Sequence, residues 1–181
     1  MDKSIMPECY ADTLLIQVLI PTKMGYNHQS GCFEVEREMS LGKFKDRFAV
    51  GIIDNDKVQI KYLKKFEIID KVGESLILWK HNEKPIKHHY IIQVCPALEK
   101  WILCICDEEG IKLAKFGLSD DLEALKKYTK SLSSMKDERL VGLFKAISKK
   151  TGNLSVRKLK HWITLLKEKN YQVDIKALQN G

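Results

Sequence analysis

A continuous apolar run, RFAVGIID at residues 47–54, limits the possible folds of this chain more than any other segment. A strand covered on only one face alternates apolar and polar residues, whereas a parallel strand covered by helices on both faces is apolar throughout. The run has the length of a strand and ends in polar residues. It therefore predicts a buried parallel strand flanked by helices, as found in α/β proteins.

The spacing of apolar residues elsewhere predicts helices and strands that alternate along the first 110 residues. In chain order these are a helix at 12–20 capped by Asp12 or Thr13 and ended by Pro21, a helix at 32–47, strands at 75–80 and 88–94, and a helix at 97–109. The segment YLKKFEIID at 62–70 is typical of either a short helix or the approach to a strand.

Positive charge is concentrated after residue 110. Residues 1–110 contain 15 Lys and Arg against 17 Asp and Glu, a net charge of −2, whereas residues 111–181 contain 16 against 7, a net charge of +9. Apolar periodicity there predicts helices, the last from Leu154 to Lys169. We therefore divide the chain into an α/β part at 1–110 and a basic helical part at 111–181 that packs on it.

The basic segment has two interpretations. Neutralising phosphates releases counterions, so the segment favours a polyanionic partner such as DNA or RNA. Lysine-rich helix faces are also common as plain solvated surfaces. If the segment contacts nucleic acid, the candidate residues are Lys149, Lys150, Arg157 and Lys160.

The sequence predicts neither membrane insertion nor export. It lacks an uninterrupted apolar run of about 18 residues, and its start, MDKSIMPECYADT, lacks a basic segment followed by an apolar one. The five cysteines are odd in number and form no C-x-x-C pair, which is typical of reduced thiols rather than of disulfides or a zinc site. We therefore expect a cytoplasmic protein that does not enter membranes.

Two carboxylates follow the apolar run, in GIIDND at 51–56. On an extended strand end, residues i and i+2 point the same way, so Asp54 and Asp56 are able to meet at one point. Mg²⁺ takes oxygen ligands and often only one or two protein carboxylates. Asp-Asn-Asp is also good turn chemistry, so this motif by itself is open to both interpretations.

A second acidic motif, PECYAD at 7–12, places Glu8 at the presumed end of the first strand and Asp12 near the start of the first helix. Pro7 has no N–H to donate, so this strand is expected at a sheet edge or at a strand end. Together with GIIDND, the motif resembles the Toprim family, the metal-binding domain of topoisomerases, bacterial primases and overcoming-lysogenization-type nucleases. In that family one strand ends in Glu-Gly-x-x-Asp and a later one in Asp-x-Asp. The segment CPALEKWI at 95–102 is similar to a later helix start of the nuclease-like branch, which makes Glu99 a further acidic candidate.

The resemblance implies a Toprim/Rossmann-like, mostly parallel sheet flanked by helices, and phosphodiester chemistry as a nuclease or as the catalytic partner of one. Glu8 would act as general acid or base. Mg²⁺ or Mn²⁺ would be bound by acids from the set Asp54, Asp56, Asp12 and Glu99. The sequence has no P-loop, so the ATPase that often accompanies this branch would be a separate subunit. The alternative is a non-catalytic α/β binding or assembly protein, in which the acids are caps and turns and the basic helices contact nucleic acid or a protein.

Overall fold

The computed structural model describes residues 2–41, 43–55, 60–83 and 88–181, which form a five-stranded sheet with helices on both faces. The strands are β1 (Ile5–Pro7), β2 (Ala49–Asp54), β3 (Phe66–Val72), β4 (Leu76–His81) and β5 (His89–Val94). The helices are α1 (Tyr10–Leu19), α2 (Cys32–Ser40), α3 (Leu98–Glu108), α4 (Leu122–Thr129), α5 (Glu138–Ser148), α6 (Leu154–Lys169) and α7 (Ile175–Gln179). The chain is therefore an α/β protein, as the apolar run predicts.

The sheet is mixed, with the strand order β1-β2-β5-β4-β3. Strands β1, β2 and β5 are parallel, whereas β4 is antiparallel to both of its neighbours, β5 and β3. The expectation of a mostly parallel sheet therefore holds at one edge and is wrong at the other. The physical reason is the connection at 73–75, because three residues form a hairpin turn but are too few for a parallel crossover.

The carboxyl ends of the three parallel strands lie at one edge of the sheet. Pro7 is paired with Ile52 and Asp54 with Val94, so the residues that follow these strands are neighbours in space. β1 is an edge strand, which suits the missing N–H of Pro7. Glu8 continues the ladder beyond β1 by donating its N–H to the carbonyl oxygen of Ile52 at 2.9 Å.

Helices bury both faces of β2, which explains why this strand is apolar throughout. On one face, α1, α3, α5 and α6 share a single apolar core that includes Leu15, Trp101, Phe144 and Trp162. On the other face lie α2 and a 3₁₀ helix at Lys61–Lys65. Helices that follow residue 110 thus share a core with the sheet.

Gly51 allows α2 to lie directly on β2. A Cβ atom at this position would lie 2.7 Å from Cγ1 of Val35 and 2.9 Å from Sδ of Met39, which is too close. We expect Gly51→Ala to lower the free energy of unfolding by about 2 kcal/mol, because an overpacked core forces its neighbours to move. Urea denaturation measures this change. Gly152→Ala is the matched control, since a Cβ there meets nothing within 4 Å; equal effects of the two substitutions would contradict this account.

Three segments test the element boundaries expected from the sequence. Helix α6 spans Leu154–Lys169, as predicted. Helix α2 ends at Ser40 rather than near Arg47, so the predicted extension is wrong; Gly42, a poor helix former, follows in the sequence. The ambiguous YLKKFEIID segment contains both predicted forms, since the 3₁₀ helix at Lys61–Lys65 leads directly into β3.

Candidate functional site

Four acidic residues lie near one another where the parallel strands end. Glu8 follows β1, Asp54 ends β2, Asp12 lies in the first turn of α1 and Glu99 in the first turn of α3. They are close enough that the charges of the other three act on Asp54. The structure therefore brings together four of the five predicted acids, here called the acidic cluster. The fifth, Asp56, lies outside the described residues.

Backbone donors orient Glu8 and Asp54. The N–H of Asp54 donates to Oε2 of Glu8 at 2.9 Å, and the N–H of Leu98 donates to Oδ1 of Asp54 at 2.9 Å. Because Leu98 is the first residue of α3, Asp54 also faces the partial positive charge of a helix N-terminus. These bonds hold the two carboxylates in place at the ends of β1 and β2.

Asp12 is buried, with 2% of its surface exposed, because α1 begins earlier than the sequence pattern indicates. Cys9 is the N-cap, and its Sγ accepts the N–H of Asp12 at 3.4 Å. The expectation that Asp12 or Thr13 caps this helix is therefore wrong, since both lie inside it. Among the described residues, Oδ2 of Asp12 has no hydrogen-bond partner. A buried carboxylate oxygen without a partner is costly and is well suited to bind a cation.

Glu99 is also buried, with 4% of its surface exposed. Its Oε1 accepts a hydrogen bond of 2.5 Å from Oγ1 of Thr129, a buried residue at the end of α4. Helix α4 therefore covers this side of the acidic cluster. No motif in the sequence marks Thr129, and only the packing of α4 against α3 reveals its role.

Burial raises the pKa values of two members of the cluster. It is the main cause that raises the pKa of Asp54 to about 9, and the charges of Asp12, Glu8 and Glu99 add to it. Burial likewise raises the pKa of Asp12 to about 7, although a hydrogen bond with Cys9 opposes the change. Within the described part of the chain, no Lys or Arg forms an ion pair with Asp12, Asp54 or Glu99. The cluster therefore retains protons near neutral pH, and a bound cation would displace them.

The chemistry of this cluster fits Mg²⁺ or Mn²⁺. The ligand atoms that these acids offer are all oxygens, which both cations prefer. One buried oxygen of Asp12 lacks a described hydrogen-bond partner, and the negative charges of the acids lie close to one another. No three His, Cys, Asp or Glu side chains of the described ranges are already gathered as ligands around one point. A site with one or two carboxylates, completed by water and substrate oxygens, needs no such group.

Cys9 stands where the Toprim pattern has glycine. Its backbone is extended, with φ −137° and ψ 173°, and residues of any type adopt this conformation. Burial, and then the charge of Asp12, raises the pKa of the Cys9 thiol well above its usual value. The thiol is therefore neutral and donates to Asp12, and the turn after β1 needs no glycine.

The basic residues predicted to contact nucleic acid lie on or beside α5 and α6. Nζ of Lys150 is 3.4 Å from Oε2 of Glu109 and donates to the Glu109 carbonyl, just past the C-terminal end of α3. Glu99 lies at the other end of this 11-residue helix, which is about 16 Å long. The remaining three candidates, Lys149, Arg157 and Lys160, are exposed. The structure thus places Lys150 away from the acidic cluster.

A cleft of about 430 Å³ opens beside Glu99, one of the four acids. Its lining includes Glu99, Asn55 after β2, Lys100 in α3 and Lys126 in α4. Nζ of Lys126 is 2.6 Å from Oε1 of Glu123, whereas Lys100 is exposed and has no ion pair within the described ranges. Neither lysine was among the predicted nucleic-acid contacts. The signals that the sequence contains for them are the position of Lys100 next to Glu99 and, for Lys126, its place in the basic segment 111–181.

The fold and the site define an α/β protein with a buried acidic cluster at the carboxyl edge of its parallel strands. Neither the protein-family models, nor the curated proteins, nor the solved structures include a match to this chain. In the described ranges, no helix combines the length and apolar character needed to cross a membrane. Function must therefore be inferred from the geometry of the site.

Proposed function

We propose that this protein performs Mg²⁺-dependent phosphodiester chemistry on nucleic acid, as a nuclease or as the catalytic partner of one. The supporting observation is that Glu8, Asp12 and Glu99 lie close enough for their charges to act on Asp54, while one buried oxygen of Asp12 has no described hydrogen-bond partner. Buried like charges are costly unless a cation or a proton neutralises them. The resemblance to the Toprim family supports the same chemistry, because Glu8 and Asp54 belong to its two motifs.

Each acid has a role in this proposal. A bound Mg²⁺ or Mn²⁺ would polarise the phosphate and stabilise charge on the attacking and leaving oxygens. Asp54 and Asp12 are its ligands from the described residues, and Asp56 is the further ligand that the sequence predicts. Glu8, oriented by the N–H of Asp54, transfers the proton of the reacting oxygen. Glu99, oriented by Thr129, adds negative charge that faces the cation.

The proposal also names a substrate, a partner and a cellular location. The proposed substrate is DNA or RNA, and the proposed partner is a separate ATPase subunit. We propose a cytoplasmic location, since the cysteines form no disulfide within the described residues and two of them, Cys95 and Cys106, are buried in the core.

Metal binding by the wild-type protein tests the proposed function. Calorimetric titration with Mg²⁺ or Mn²⁺ is expected to show saturable binding, and labelled DNA or RNA is expected to be cut only when the metal is present. Chelation should stop cleavage, and added metal should restore it. A wild-type protein that shows no heat of binding, no metal-dependent stabilisation and no cleavage of any labelled strand would contradict the proposal.

The competing function is a non-catalytic binding or assembly protein. The hydrogen bond from Leu98 to Asp54 favours it, because this carboxylate caps α3 as a purely structural acid would. Capping uses one oxygen of one residue, however, and does not explain why Asp12 and Glu99 are buried beside it. Catalytic metal binding accounts for all four acids together.

A further inference from the structure

The cleft beside the acids combines cationic, polar and apolar groups. Lys100 and Lys126 supply positive charge, and Asn55 has an amide group whose Oδ1 accepts from Nε2 of Gln93 at 3.4 Å. Pro96 and Leu122, which also line the cleft, add apolar surface. A positively charged groove that follows the phosphate backbone is one of the two features of sites for single-stranded nucleic acid, and apolar surface is available here for a base.

Glu99 connects this cleft to the acidic cluster. It lines the cleft, and its charge also raises the pKa of Asp54 and of Asp12. Its charge acts on Lys126 as well, after the stronger hydrogen bond of that lysine to Glu123. A phosphate bound by the two lysines would therefore lie next to the carboxylates that the proposed function assigns to the metal.

The size and depth of the site distinguish between forms of nucleic acid. A volume of about 430 Å³ is that of a pocket for one small ligand, such as a single nucleotide. Glu99, the acid that lines the cleft, is only 4% exposed, so a phosphodiester must enter the cleft to approach it. A flexible single strand is able to enter, whereas the backbone of a rigid duplex stays at the surface.

We propose that this cleft binds a single-stranded nucleic acid, one nucleotide at a time, and that Lys100 and Lys126 neutralise its phosphates. This inference rests on the proposed function, because it assigns the substrate form and its binding residues to the same site. Lys126 exchanges its ion pair with Glu123 for the phosphate, and Lys100 has no ion pair within the described ranges to give up. The nucleic-acid contact is thus assigned to α3 and α4 rather than to the predicted residues Lys149, Lys150, Arg157 and Lys160.

Fluorescence anisotropy with labelled single-stranded DNA and RNA tests the cleft, in the presence of EDTA so that strands are not cut. The double variant Lys100→Ala/Lys126→Ala is expected to bind both strands about tenfold more weakly. Its slope of log affinity against log salt should become shallower by about 1.4, because two phosphate contacts are lost at about 0.7 each. Lys100→Arg/Lys126→Arg should restore binding, since it restores the charge.

The control is Lys149→Ala/Lys150→Ala, which removes the same charge just after α5, where Lys150 contacts Glu109 past the far end of α3. We expect its affinity for single strands to equal that of the wild type. Loss of binding in this variant, with unchanged binding in Lys100→Ala/Lys126→Ala, would overturn the proposal. Binding of a matched duplex as tightly as the single strand would overturn the assignment of the substrate form.

Calorimetry separates this inference from the proposed function. Lys100→Ala/Lys126→Ala is expected to bind Mg²⁺ as the wild type does, because neither lysine contributes an oxygen ligand. If the wild type binds metal and cleaves strands while Lys100→Ala/Lys126→Ala keeps full affinity for single strands, the proposed role of the cleft is overturned and the proposed function is not. A wild type that binds single strands through these lysines but binds no metal would overturn the catalytic function and leave the cleft as a binding surface.

Discussion

Asp54→Asn is expected to abolish metal-dependent cleavage and to remove the stabilisation that Mg²⁺ confers on the wild type. The substitution replaces a charged ligand by a neutral amide at the residue where β2 ends. Metal catalysis supplies several kcal/mol of transition-state stabilisation, so we expect the cleavage rate to fall on the order of 1,000-fold. Rates on labelled strands and melting temperatures with and without Mg²⁺ measure the two effects.

The fold of the Asp54→Asn protein should be intact without metal. Its Oδ1 still accepts the N–H of Leu98, and the burial-raised pKa of Asp54, about 9, means that the wild-type group is already neutral at pH 7. We therefore expect its unfolding free energy without metal to stay within about 1 kcal/mol of the wild type. Asp174→Asn is the matched control, because it removes a charge from the exposed N-cap of α7, where Asn caps equally well. Equal losses of cleavage in the two variants, or full cleavage in Asp54→Asn, would contradict the proposed metal site.

The metal-free protein is expected to lose stability as the pH rises from about 4 to about 9. The pKa values of Asp12 and Asp54 are raised by folding from 3.8 to about 7 and about 9, so the folded chain binds more protons than the unfolded chain across this interval. The free energy of unfolding therefore falls with increasing pH. Each extra proton that the folded chain retains corresponds to a loss of about 1.4 kcal/mol per pH unit. Below the unfolded pKa the stabilisation is fully present.

Added Mg²⁺ should oppose this loss, because a cation neutralises the carboxylates as protons leave them. Urea denaturation across this pH range, with EDTA or with Mg²⁺, gives both curves. Asp12→Asn should flatten the metal-free curve, since it removes one of the two groups whose pKa is raised. A metal-free stability that increases over the same pH range, or that does not respond to Asp12→Asn, would show that these acids are not coupled to folding as described.

Local pattern was sufficient to predict much of the fold and the central pair of acids. The apolar run before Asp54 predicts β2 because only a strand covered on both faces has so few polar residues, and α6 follows from its apolar periodicity. Pro7 predicts a strand end or an edge, since a missing N–H cannot serve a central ladder. Glu8 and Asp54 were therefore predictable as neighbours at the ends of two strands.

The remaining features depend on contacts between residues far apart in the sequence. Asp12 is an acceptable N-cap by composition, but Cys9 takes that position and draws Asp12 into the buried first turn of α1. Thr129 becomes part of the site only because α4 packs on α3, 30 residues from Glu99 in sequence. Net charge pointed to the segment 111–181 as a whole, which includes Lys126 of α4, but it did not single out Lys126 or Lys100 of α3 as the lysines beside Glu99.

The sequence by itself determined the α/β class, the buried strand and the acidic residues that end two strands, because each depends on neighbouring residues and on local periodicity. Only the tertiary structure decided the antiparallel half of the sheet, the burial of Asp12 and Glu99, and the cleft that contains Lys100 and Lys126. Burial and proximity result from packing between distant segments, and these two properties raise the pKa values on which the proposed chemistry depends.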